Sequence, residues 1–120
     1  MIVELNYPVT FQCVVNTHDG RFHLFEMDYQ LPIPPFAGLL LVNVPGVPNV
    51  LGPKAGVDNG IRRNVWDHAT GRVKCQIAGY RAATETLEEI QVRAMSDWKY
   101  IGDISDQTEE ASEPEDFLNG

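Results

Sequence analysis

The chain opens on a strict alternation. Val3, Leu5, Tyr7, Val9, Phe11, Cys13 and Val15 share one parity, and Glu4, Asn6, Thr10, Gln12 and Asn16 share the other. A period of two belongs to a strand with one buried face, because successive side chains point to opposite sides of a sheet. Pro8 has no N–H to give a ladder, so the pattern predicts an edge strand, or one bulged near that residue. Thr17, His18, Asp19 and Gly20 predict a turn, with Gly20 supplying the positive φ that a short hairpin needs. The return strand carries Phe22 and Leu24, then Phe25, Met27, Tyr29 and Leu31. Its apolar phase flips between Leu24 and Phe25, which predicts a β-bulge there.

Three prolines within residues 31–36 exclude a regular element. The apolar stretch at residues 39–44 predicts a strand covered on both faces. Residues 45–60 hold three prolines and four glycines. A connection that long without regular structure is expected to be an ordered binding or assembly loop. Residues 61–66 and 72–80 predict a second hairpin across 67–71, with Val73, Cys75, Ile77 and Gly79 facing inward. Thr86 and Glu89 fit a capping box. Leu87, Ile90, Ala94 and Trp98 follow at helical spacing, and Glu89 with Arg93 forms a favourable i,i+4 pair. The expectation is a helix near residues 86–97; a strand through Ile90, Val92 and Ala94 is the competing reading. Residues 99–104 predict a last short strand.

These elements add up to a mainly β fold, with α+β as the variant. The expected form is a small antiparallel barrel or sandwich of five to six strands with one helix near the C-terminus. At 120 residues the chain has room for one domain. The β-rich domain is placed at residues 1–102, followed by an acidic tail at 103–120.

Charge sharpens that division. The formal charge is −8, which alone argues against an anionic partner. Seven acids and no base lie in residues 103–120, whereas residues 1–102 hold ten acids and nine bases. Residues 54–81 carry six bases and two acids, a net of +4. The chain is thus a nearly neutral body with a basic middle and an anionic tail.

The start of the sequence lacks a basic region followed by a cleavable apolar segment, so no signal peptide is expected. The longest apolar run, residues 36–42, is too short to span a bilayer. Cys13 and Cys75 fall on apolar strand positions, as buried free thiols of a reducing compartment would. The expected location is the cytoplasm or an assembled particle, with no membrane involvement.

Catalytic motifs are sparse. Gly46 to Lys54 has the wrong glycine spacing for a phosphate-binding loop and no following Ser or Thr. Only Ser96, Ser105 and Ser112 are present, with no nucleophile-elbow motif. Asp58, Asn59 and Gly60 lack the later glutamate of a calcium loop. A further alternative, a small metal-dependent or ligand-binding protein at the His-bearing turns, would require His18, His23 and His68 to converge with a carboxylate. His68 beside Asp67 is a weak general-base candidate. No cofactor and no catalytic residue are assigned.

Two binding readings follow. The leading one is a non-enzymatic interaction or structural assembly module, such as a subunit of a larger viral or cellular particle. It would dock on other protein subunits, self or heterologous, through Pro45, Val47, Pro48, Leu51 and Lys54 of the Pro/Gly loop. An exposed strand edge and the tail residues Phe117 and Leu118 would complete the surface. The alternative is single-stranded nucleic-acid binding. On the 61–80 hairpin, Arg62, Trp66, Arg72, Lys74 and Tyr80 would combine phosphate neutralisation with base stacking, and the tail would compete for that face.

Overall fold

The computed structural model describes residues 6–42, 44, 46–47, 50, 60–108 and 117–119. Val3, Glu4 and Leu5 of the alternating segment lie outside the described residues; from Tyr7 on it forms β1 (Tyr7–Asn16) and returns as β2 (Phe22–Leu31). The second hairpin is β3 (Ile61–Asp67) and β4 (Arg72–Ile77), continued by β5 (Gly79–Arg81). Then come α1 (Leu87–Ala94), β6 (Lys99–Asp103), the short α2 (Ser105–Thr108) and β7 (Phe117–Asn119). The fold is mainly β, with one helix longer than a single turn near the C-terminus. The strand count exceeds expectation because Ala78 divides β4 from β5 and because the tail contributes β7.

The seven strands among the described residues belong to one sheet, ordered β3-β4-β1-β2-β6, with β5 beside β1 and β7 beside β5. β1 is its centre, not its edge. It is antiparallel to β2 along its whole length. Its other side is shared by β4, at Val9 to Gln12, and β5, at Val15 and Asn16, both parallel. Pro8 is accommodated one residue before the β4 pairing begins, where its missing N–H interrupts nothing on that side. The sheet is mainly antiparallel, with parallel pairings of β1 to β4 and β5 and of β5 to β7. A parallel neighbour requires a long return connection, and the proline-rich residues between β2 and β3 supply it. Among the described residues no ladder joins β3 to β6, so the described pairing is that of an open sheet.

One face of this sheet forms the core. Val9, Phe11, Cys13 and Val15 of β1 are completely buried, as the alternation predicts. Phe25, Met27 and Leu31 of β2, Cys75 and Ile77 of β4, and Ile90, Ala94 and Trp98 join them. Full burial of each large apolar side chain is worth about 1.5–3 kcal/mol. Thr86 caps α1 through the Glu89 amide, and the Glu89 side chain returns to the Thr86 amide, completing the capping box. Val92, which the strand alternative would bury, is exposed. Arg93 pairs with Glu85 rather than Glu89, whose carboxylate is engaged at the cap.

Two expectations about phase are corrected. β2 carries no bulge against β1: Val14 faces Leu24 and Cys13 faces Phe25 in unbroken register. Its core positions are His23, Phe25, Met27 and Leu31, while Phe22 and Leu24 are only half-buried on the other face. The irregularity lies at the same place but on the partner strand: Leu24 faces Gly102 and Phe25 faces Tyr100, leaving Ile101 as the extra residue of β6. Residues 39–44 are not a strand covered on both faces either. Leu41 is buried, whereas Leu40 and Val42 are 65% and 72% exposed. Leu40 makes a single bridge to Gly60, and the Gly38 amide bonds the Ile61 carbonyl, so this stretch lies against the start of β3.

Candidate functional site

The face of the sheet opposite the core is polar and internally paired. The Thr10 hydroxyl donates to Asp28 at 2.7 Å and accepts from Arg72 Nε at 3.1 Å. Arg72 Nη2 also donates to the backbone carbonyls of Val9, at 2.6 Å, and Tyr29, at 2.9 Å. One guanidinium thus ties together β1, β2 and β4. Gln12 donates to Glu26 at 2.7 Å. Lys74 lies 3.6 Å from Glu26 and 3.4 Å from Asp67. Burial works to raise the Asp67 pKa, but the Ala69 amide and Lys74 outweigh it and hold the carboxyl below its ordinary value. A cleft of about 410 Å³ opens over this face, lined by Thr10, Asp28, Arg72, Lys74 and Lys99, with Met95 and Asp97 on its wall. Within the sheet Arg72 answers Asp28, and Lys74 answers Glu26 and Asp67.

The nucleic-acid constellation is not brought together. A four-residue connection puts Asp67 opposite Arg72, so odd residues of β3 face even residues of β4. Arg63 and Val65 therefore share a face with Gln76 and Lys74, while Trp66 sits across from Val73 on the other side. Arg62 is the extra residue of a register break between Ile61 and Arg63. Tyr80 is 2% exposed, its hydroxyl donating to Glu85 at 2.5 Å and the Arg93 guanidinium lying over its ring. It belongs to the core and cannot stack on a base. Arg72 and Lys74 are occupied as described above.

The histidines do not converge. Because β4 runs parallel to β1, the 67–71 turn lies where β1 begins, whereas the 17–21 turn lies where β1 ends. His18 and His68 are therefore at opposite ends of the sheet. His23 is buried, with Nδ1 3.0 Å from the Tyr100 hydroxyl. No group of three or more metal-ligating side chains occurs among the described residues. Cys13 and Cys75 are buried, unbonded thiols. Phe11 faces Cys75, which puts Cys13 one step further along the neighbouring strand. Such diagonal neighbours lie about 7–8 Å apart, beyond the reach of a disulfide.

Of the predicted docking residues, Pro45, Pro48, Leu51 and Lys54 lie outside the described residues. Val47 is 1% exposed and forms part of the core, so it presents nothing to a partner. Gly46 and Val50 are themselves held from inside: Trp98 Nε1 donates to the Gly46 carbonyl and Arg93 Nη2 to that of Val50. Phe117 and Leu118 are in β7, whose backbone pairs in parallel with β5, Phe117 opposite Gly79 and Leu118 opposite Tyr80. The start of the tail is also fastened to the domain. Asp103 pairs with Arg21 at 2.7 Å, and the Ser105 hydroxyl accepts from the Phe22 amide at 3.0 Å.

Sequence reasoning missed the exposed apolar row. Ile33, Phe36, Leu40 and Val42 are 44%, 53%, 65% and 72% exposed. The signal was present in the apolar character of both parities in residues 39–42, which demands cover on two sides. The fold covers the Leu41 side.

Comparison with known proteins adds no relative: no family model, no curated protein and no solved structure matches this chain.

Proposed function

We propose that this chain is a non-enzymatic interaction module that assembles with other protein subunits, self or heterologous, into a larger viral or cellular particle. The observation that carries this reading is the exposure of Leu40 and Val42, in a segment where Ile33 and Phe36 are exposed as well. Large apolar side chains grouped along one short stretch are costly to leave in water and mark contact surfaces. The stretch is held in place by backbone bonds to the start of β3, so a partner would meet a formed surface. Preformed contact residues lower the ordering cost of association.

The test is the doubly substituted full chain Leu40→Ser, Val42→Ser, compared with the parent by light scattering and by capture from its native extract. The expected parent behaviour is a larger species or a defined complex, lost in the variant. Because both side chains are already exposed, the melting temperature should change little. A parent chain that is a monomer at every concentration and retains no partner would overturn the reading.

A further inference from the structure

We propose that the side of β5 facing away from β1 is an exchangeable strand site, filled within one chain by its own β7 and, when two copies meet, by β7 of the second copy. This rests on the assembly reading and names a partner and a contact for it.

The pairing is short. Phe117, Leu118 and Asn119 face Gly79, Tyr80 and Arg81 in parallel. A three-residue ladder can part and re-form while β1, β2 and β4 keep their own partners. β5 still requires an occupant, because an open strand edge displays unpaired backbone donors and acceptors. What it requires is backbone in extended form, and any copy of the tail supplies that equally.

The connection permits the choice. Eight residues separate Thr108 from Phe117, and such a length reaches up to about 29 Å when extended. Charge favours the same contact in either chain. The tail has seven acids and no base, while residues 54–81, which contain β5, carry a net of +4. Each tail is therefore attracted to the basic segment of whichever copy it meets, and reciprocal exchange yields a closed twofold pair. A strand donated to a sheet edge is a recurrent mode of subunit joining.

The register provides the test. Arg81 faces Asn119, so full-length Arg81→Cys and full-length Asn119→Cys are mixed in equal amounts and oxidised gently. The native thiols are buried and stay out of the reaction. The expected result is a disulfide joining the two chains at these positions, identified by mass spectrometry of the linked peptide. A bond found only within the Arg81→Cys, Asn119→Cys double variant, or found in neither experiment, overturns exchange. Should Arg81→Cys not fold, light scattering of the Leu118→Pro chain decides: proline removes a ladder donor, and the parent's doubled mass should fall to that of a monomer. A mass unchanged by Leu118→Pro also overturns the proposal. Persistence of a complex that needs Leu40 and Val42 would leave the broader reading intact.

Discussion

Trp98 Nε1 donates to the carbonyl of Gly46 at 2.6 Å, joining the turn after α1 to the glycine- and proline-rich stretch that precedes β3. Both partners are constrained. Gly46 has φ +89°, and a Cβ there would stand 2.6 Å from Asp97 Cβ. Gly46→Ala is expected to destabilise the chain by more than the ~1–2 kcal/mol of left-handed backbone alone. Trp98→Phe should cost ~1–3 kcal/mol by orphaning a partly buried carbonyl. Urea denaturation of the two variants checks both figures.

Arg72 is the second point of leverage. From β4 its fork reaches acceptors on both β1 and β2, which an ammonium on a flexible stem cannot reproduce. Arg72→Ala is expected to lose ~1–3 kcal/mol, and Arg72→Lys should recover little of it. If charge alone mattered, the lysine variant would match the parent in denaturant midpoint.

Acid should act through Asp103. Its hydrogen bond to Arg21, reinforced by the Ser105 hydroxyl and amide, holds the carboxyl well below the usual range. A carboxyl with a depressed folded pKa adds stability above its unfolded value, near 4, and loses it as pH falls through the folded value. Thermal melts should thus decline below about pH 4, with a shallower decline in Asp103→Asn. An equal slope in parent and variant would refute the assignment.

Thiol chemistry reports global opening. Burial pushes Cys75 up to about 11 and Cys13 further still, so neither is a thiolate near neutral pH. Labelling by a thiol reagent should be slow in the native chain and track denaturant-induced unfolding. Both sites are expected to react together.

The regular parts of the fold were legible because local periodicity determined them. The β1 alternation, the capping box at Thr86 and the turn at Gly20 each follow from a few neighbouring residues, and each is present. Parity across a connection was harder to read. Five residues between β1 and β2 place odd opposite odd, which carries His23 into the core beside Phe25 and needs no bulge in β2. Four residues between β3 and β4 place odd opposite even, which separates Trp66 from Lys74 and dissolves the expected binding face. Strand order depended on longer range still. The central position of β1 and the distance between His18 and His68 both arise from a parallel pairing across more than sixty residues, for which no local pattern exists. The apolar row at Leu40 and Val42 lay between these cases: its composition was visible, but the open side emerged only when Leu41 took the covered one.

The break at Ala78 has a consequence for tolerance to change. Before it, Phe11 lies beside Cys75 with odd residues of β4 inward; after it, Val15 lies beside Tyr80 and even residues point inward. One inserted residue therefore acts as a parity switch, letting a nearly continuous strand serve β3 from one half and β7 from the other. Removing Ala78 would do more than shorten the chain. It would transpose Tyr80 and Arg81, turning a cation toward the core and an aromatic ring toward water. This position should reject deletions more strictly than it rejects substitutions by other small side chains.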